Sequence, residues 1–303
     1  MSEKASKPVS ETLPIPISSA LTFAQRTQIT NLIRRAAKAE IMPRFRSLVA
    51  TEIDQKSGPM DVVTDADRNA EKMIARGLLQ LFPNAHIVGE ETATEDSIAK
   101  LADAEMGFTI DPVDGTWNYA HGLATFGLIL AMTRFGRPVF GLIYDPITDE
   151  VMTADETSAT EIVVRGRAPR SVSVSNGGPI ENLSGYVSLY SLPDDKLAPM
   201  AAILPRFQQL LTLRCIAHEF RLVAQGHMDF VLCSGLSPWD HAAGALIIKQ
   251  AGGHVAMLDG GEYRADMRSG YLLCASDAAT WGRVRDTMLF LLETPIEAPT
   301  DKS

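Results

Sequence analysis

Cysteine is scarce in this 303-residue chain. Cys215, Cys233 and Cys274 are odd in number, far apart and without a CxxC pair, which excludes a disulfide framework and predicts reduced core thiols in a cytoplasmic protein. No uninterrupted run of about 18 apolar residues occurs, so no membrane-spanning helix is expected. The opening MSEKASKPVSETLPIPISS has no apolar h-region and predicts no export. Positive charge is in deficit, with 28 Lys and Arg against 37 Asp and Glu, a net charge of -9. Nonspecific nucleic-acid binders need basic patches to displace phosphate counterions, so nucleic acid is not an expected partner. The deficit leaves room for a small anionic ligand held by metal ions. Internal repeats are also lacking.

What is present reads as a globular protein, 46% hydrophobic and 21% charged, long enough for one large domain or two lobes. Residues 1–21, rich in Ser and Pro, read as a flexible arm and 295–303 as a loose tail. Between them the pattern divides into an N-terminal α+β lobe over 22–155 and a C-terminal α/β lobe over 156–294. Apolar spacing predicts a helix over 22–47, kinked at Pro43, and a second after Thr64, ended by Pro83. AHIVGEE and GFTIDP read as strands. The run from Phe126 to Ala154 reads as antiparallel strands turning at Gly136-Arg137-Pro138 and Asp145-Pro146. LSGYVSLYS, LLTLRCIA and MDFVLC read as strands alternating with helices over PDDKLAPMAAILPRF and HEFRLVAQGH. A helix starts at Ser237-Pro238 and stops at Gly252-Gly253. A hairpin is expected around LDGGEY and a last helix over 277–293.

Acidic residues stand where strands meet turns and helix starts: DVVTDAD at 61–67, Glu90 and Glu91 in GEE, Asp111 and Asp114 in DPVDGT, and Asp240 in PWDHAAG. Each has a structural reading. Asp67 can close a capping box with Thr64, Asp240 can do the same with Ser237, and Asp145-Pro146 is turn chemistry. Taken together, carboxylates on separate loops are the oxygen-only ligand set of a hard cation such as Mg²⁺, and without a cation they would repel one another. Gly115 admits close backbone approach to a ligand, and the amides of Gly115 and Thr116 at a helix start would point at an anion. Metal with an anion cradle indicates phosphate. The EF-hand spacing is not met.

GEE at 89–91, DPVDGTWNYAHG at 111–122 and PWDHAAGALIIKQAGG at 238–253, supported by DVVTDADRNAE at 61–71, resemble the inositol monophosphatase family of Mg²⁺-dependent phosphatases over roughly residues 22 to 290. The resemblance implies an α/β (α+β) fold, a layered αβαβα sandwich, usually dimeric, with the site between the lobes. It implies Glu90, Asp111, the Val113 carbonyl, Asp114 and Asp240 as ligands of two or three Mg²⁺ ions, with Asp111 bridging. Asp67 and Thr116 match the pair that orients the attacking water, and the amides of Gly115 and Thr116 match the phosphate contacts. Lys56 corresponds to a basic residue near the entrance loop. The reaction implied is in-line attack by metal-activated water, placed by Asp67, Thr116 and Glu90, with no phosphoenzyme.

Two departures bear on the substrate. Cys233 stands where inositol-selecting members carry a glutamate, six residues before the tryptophan, and a thiol cannot accept a pair of sugar hydroxyls as a carboxylate does. RCIAHEFR at 214–221 replaces a small Gly-Ser or Gly-Thr helix start. Both count against inositol monophosphate itself and leave a polyol or sugar phosphate, histidinol phosphate or 3'-phosphoadenosine 5'-phosphate. His218, Glu219, Arg221 and His241 are candidates for a different leaving-group pocket, or helix-start residues with no such role. Trp117, Tyr119 and Trp239 read as packing residues. The spacing argues against a haloacid-dehalogenase-like phosphatase, whose DxDx[TV] aspartates lie two apart, and trapping of a phosphoenzyme would reverse that reading. A noncatalytic metal-binding or regulatory protein is the remaining alternative.

Overall fold

Thr22 caps the first helix, α1 (Phe23–Ala36): its hydroxyl accepts from Gln25 N while the Gln25 side chain returns to Thr22 N. The computed structural model describes residues 21–48, 53–58 and 61–293. The expected arm up to residue 20 and the tail at 295–303 lie outside the described residues. The long helix expected over 22–47 is formed only as far as Ile41, just before Pro43. α1 passes into a π-helical turn at Ala37–Ile41, where Met42 N reaches back to Ala37 O, because Pro43 has no N–H with which to continue the ladder.

β1 (Ile53–Gly58) and β2 (Asp61–Thr64) form an antiparallel pair that leads into α2 (Asp65–Leu81). The capping box expected of Thr64 and Asp67 is present. β3 (His86–Gly89), the short α3 (Glu95–Ala99), β4 (Gly107–Asp114), α4 (Thr116–Ala120), β5 (Gly127–Arg134), β6 (Arg137–Asp145), β7 (Glu150–Asp155), β8 (Ser158–Val164) and β9 (Arg170–Ser171) follow. Strands β3 to β9 make a seven-stranded sheet in chain order, parallel only between β3 and β4. The second half comprises β10 (Ser184–Val187), α5 (Asp194–Ile203), β11 (Gln209–Leu211), α6 (Ile216–Ala224), β12 (Phe230–Ser234), α7 (Pro238–Gln250), β13 (His254–Met257), β14 (Tyr271–Ala275) and α8 (Ala278–Thr287). Its five-stranded sheet has the order β11-β10-β12-β14-β13.

Alternation along the strands builds the layers. Phe108, Ile110, Leu128, Leu130 and Leu142 pack with Ile29, Ile33, Ile74 and Leu78 of α1 and α2. The residues between them, Ile129, Ala131 and Ile143, pack with Phe220, Val223 and Ile247 of α6 and α7, together with Val231 and Cys274 of the second sheet. The far face of that sheet, including Phe230, Leu232 and Leu273, closes on Met200 of α5 and Val284 of α8. This is the αβαβα order. Helix α7 lies between the two sheets, and it is buried almost all round, as a helix without a solvent face must be apolar all round.

Several elements are shorter than the sequence pattern suggests. The strand expected in LLTLRCIA is only Gln209–Leu211, and that in LSGYVSLYS only Ser184–Val187. β13 and β14 pair antiparallel, but Leu258 to Gly270 separates them in place of a tight hairpin turn. The last helix ends at Thr287 and continues as a 3-10 turn at Leu289–Leu292.

Candidate active site

β4 carries the chain into the site. Its register against β5 shifts between Asp111 and Asp114, and within that bulge Val113 N donates to Asp111 Oδ1 at 3.0 Å. Gly115 then adopts φ +84°, a left-handed conformation for which glycine has no steric penalty, and Thr116 opens α4. A Cβ at Gly115 would stand 3.0 Å from Thr125 O and 3.1 Å from Cys215 Cβ. The glycine is therefore required by the turn and by its neighbours in the chain, before any ligand is considered.

Asp111, Asp114 and Asp240 offer carboxylate oxygens that all lie within 4.8 Å of one another. Asp111 and Asp114 are buried and Asp240 is half-buried, in the first turn of α7. Burial pushes Asp111 well above the usual carboxylate range, and the charges of Glu90, Asp114, Asp240 and Asp67 push it further. Burial also raises Asp114, against the opposing hydrogen bonds from Cys215 and Ala217. A cluster of oxygen donors that destabilise one another's charge is relieved by a hard divalent cation, so the residues fit a metal ion. Ser237 makes no side-chain cap bond to α7, so the capping alternative for Asp240 does not hold.

Asp67 combines both of its readings. Oδ2 accepts from Thr64 N at 2.9 Å and Thr64 Oγ1 at 2.6 Å, while Oδ1 accepts from Thr116 Oγ1 at 3.2 Å. Burial pushes its pKa up to about 7, with Glu90 and Glu91 adding to the rise and the Thr64 bonds opposing it. Thr116 Oγ1 also lies 2.9 Å from Val113 O. Glu90 lines the same cleft. Its loop is fixed by buried Glu71, whose carboxylate accepts from Glu91 N at 2.8 Å and Thr92 Oγ1 at 2.6 Å. Nothing in the DVVTDADRNAE motif marks Glu71 as a site residue. The available signal was its place, four residues after Asp67 and three before Ile74, on the core-facing side of α2.

The cleft, about 280 Å³, is lined by Glu90, Asp114 to Trp117, Glu219, Cys233, Asp240 and His241 among others. Its size suits a small ligand. Glu219 is buried, accepts from Leu213 N at 2.7 Å and Thr212 Oγ1 at 2.9 Å, and is pushed up to about 7 by that burial. Burial holds the Cys233 thiol protonated and lowers His241 to about 4, leaving a neutral imidazole whose Nδ1 lies 3.1 Å from Ser237 N and 2.8 Å from Ser237 O. Two candidates are not brought to the cleft. His218 turns away, with Nε2 donating to Phe126 O at 3.0 Å and Nδ1 accepting from Arg221 at 2.7 Å. Arg221 itself pairs with Glu150 and Asp145. Lys56 has its backbone in β1, and its side chain lies outside the described residues.

Cys215 is buried as expected, yet it is more than filler. Its thiol donates to Asp114 Oδ2 at 3.0 Å, and Ala217 N at the start of α6 donates to the same oxygen at 2.6 Å. Tyr190 and Arg214 also line the cleft without having been singled out from sequence. They sit in irregular segments after β10 and β11, where no periodic pattern marks a direction. Asp145, by contrast, is the turn residue expected, accepting from Ile147 N and from Thr148. Tyr119 packs against Phe45 and Phe126 as expected.

A family model described as the inositol monophosphatase family matches residues 24–289. A fructose-1,6-bisphosphatase/inositol-1-monophosphatase of Thermotoga maritima is 31% identical over 213 residues, 70% of this chain and 78% of that one. A protein named Nus factor SuhB in Salmonella typhimurium is 30% identical over 241 residues, 77% of this chain and 86% of that one. In structure, the Thermotoga maritima IMPase matches with a TM-score of 0.75 at 26% identity, covering 89% of this chain and 98% of that one. Among the described residues no helix is long and apolar enough to cross a membrane. The chain belongs to the inositol monophosphatase family, metal-dependent hydrolases of phosphoric monoesters.

Proposed function

We propose that this chain hydrolyses a small polyol, sugar or related phosphate monoester with Mg²⁺, in two or three copies, held by Glu90, Asp111, the Val113 carbonyl, Asp114 and Asp240. The observation that carries the reading is the convergence of Asp111, Asp114 and Asp240 within 4.8 Å beside the Thr116–Asp67 hydrogen bond. When bound, the cation neutralises phosphoryl charge and acidifies water. The chain's own groups do the rest. The amides of Gly115 and Thr116 hold the phosphoryl oxygens. Thr116 Oγ1, anchored on Asp67 and Val113 O, orients the attacking water together with Glu90. Asp67 holds the Thr116 hydroxyl through Oδ1. No side chain is required to form a covalent phosphoenzyme. The division into two lobes near residue 155 and the homodimer rest on sequence pattern and family membership.

The test is phosphate release by purified protein with and without Mg²⁺ across inositol 1-phosphate, sugar phosphates, histidinol phosphate and 3'-phosphoadenosine 5'-phosphate. Mg²⁺-dependent release that Asp111→Asn abolishes supports the reading. The relatives named Nus factor favour a second one, a regulatory role without turnover. Calorimetric Mg²⁺ binding with no release from any ester would mark that outcome.

A further inference from the structure

We propose that the Cys215 thiol is a positioning residue for the metal site: together with the start of α6 it fixes the Asp114 carboxylate and so sets the affinity for the cation. The inference rests on the metal-dependent phosphatase reading and gives a role to RCIAHEFR, whose His218 and Arg221 do not reach the cleft. Asp114 shares the carboxylate cluster with Asp111 and Asp240 and is the last residue of β4, directly before the Gly115 turn. Its Oδ2 accepts two bonds, both from the start of α6: Cys215 Sγ at 3.0 Å and Ala217 N at 2.6 Å. The first amides of a helix need acceptors, which a Ser, Thr, Asp or Asn at the N-cap supplies. Cys215 is the N-cap of α6 and makes no such bond. Asp114 fills that place from another element, and the thiol is left to donate to it.

α6 is held firmly enough to serve as the anchor. His218 Nε2 donates to Phe126 O at 3.0 Å, and Arg221 pairs with Glu150 and Asp145 at the ends of β7 and β6. The approach to β5 is close: a Cβ on Gly127 would stand 2.8 Å from Ala217 Cβ. Gly115 is similarly tight at the thiol, where a Cβ would stand 3.1 Å from Cys215 Cβ. Strand end, turn and helix start therefore interlock around the Asp114 carboxylate. Cys215 is buried and places its one thiol proton there. Groups behind a metal ligand orient it, and losing one costs about 10- to 100-fold in metal affinity.

The test reads the metal directly. Mn²⁺ is titrated into the full chain and its free fraction followed by electron paramagnetic resonance; the same preparations give the Mg²⁺ concentration for half-maximal phosphate release and the melting temperature in EDTA. Cys215→Ala removes the donor, and Cys215→Ser keeps one. Cys215→Ala is expected to bind Mn²⁺ about tenfold more weakly and to need about tenfold more Mg²⁺, while Cys215→Ser stays within about threefold of the wild type. Raising Mg²⁺ should recover most of the rate lost in Cys215→Ala, which a merely structural defect would not allow. Should Cys215→Ala not fold, Cys215→Val, which refills the space without a donor, takes its place with the same expectation. Wild-type Mn²⁺ affinity in the variant without a donor, with only a lower melting temperature, would make the thiol packing alone and overturn the inference. Equal weakening in Cys215→Ser would do the same. A wild type that binds no Mn²⁺ is a separate failure, of the metal-dependent reading, and removes this inference with it. If the wild type binds Mn²⁺ but releases no phosphate, the Mn²⁺ affinities of the variants decide by themselves.

Discussion

At Thr116 a single hydroxyl joins two parts of the site: it lies 3.2 Å from Asp67 Oδ1 and 2.9 Å from Val113 O. Thr116→Val keeps the branched shape and removes the hydroxyl. It is expected to lower kcat by about 10²- to 10³-fold with little change in KM, the signature of a contact needed mainly in the transition state. Steady-state kinetics on the preferred ester checks this, and a rise in KM at full kcat would move Thr116 from water orientation to ground-state binding. Residues of this kind were legible in the sequence because chemistry and spacing coincide there, as in DPVDGT and PWDHAAG. His218 was not, because a polar residue near a helix start reads the same whether it faces a cleft or bonds a carbonyl such as Phe126 O. Glu71 illustrates the reverse error. A carboxylate on a core-facing helical position looks misplaced until the amide of Glu91 is found beside it.

Element boundaries depend on what the element meets, which explains why strand existence was readable and strand length was not. β10 and β11 stop after Val187 and Leu211 because the chain there leaves the sheet to line the cleft, and tertiary contact, not propensity, sets that point. The π-helical turn after α1 has the same character, with Pro43 removing a donor that the apolar spacing ignores. The β4–α4 junction is the most constrained of these boundaries. Gly115→Ala would force a Cβ into φ +84° and to within 3.0 Å of Thr125 O. The left-handed conformation alone costs a non-glycine residue roughly 1–2 kcal/mol, and the contact with Arg214 and Cys215 adds to it. The expected outcome is a lower melting temperature together with a loss of activity larger than the stability change explains, since the same turn positions Asp114 and Thr116. Thermal unfolding and kinetics on one preparation check both. A stable variant with lost activity would mean that the turn moves without unfolding.

The layered architecture was implied by the family resemblance that GEE, DPVDGT and PWDHAAG carry; in the structure alternate residues of β4, β5 and β6 serve two different cores, and α7 is buried from His241 to Ile248. The apolar core shared by the two sheets holds the halves together, while the site between them is electrostatic. Asp111 and Asp114 come from the first sheet and Asp240 from the helix between the sheets. Without a cation, folding brings together carboxylates whose proton affinity burial and mutual charge have raised. The sign follows from linkage. Asp67 has an ordinary value of 3.8 and a folded value of about 7, so the folded state holds its proton where the unfolded chain has released it. Its penalty on metal-free stability is absent below about pH 4, grows between the two values and is complete above the folded one. A cation bound by the charged cluster removes that penalty and adds stability by mass action. The melting temperature of metal-free protein should therefore fall as pH rises from 5 to 8, and the gain on adding Mg²⁺ should be larger at pH 8 than at pH 5. Scanning calorimetry at both pH values, with EDTA and with excess Mg²⁺, makes the comparison. A Mg²⁺ increment independent of pH would mean that these carboxylates are not the groups that bind it.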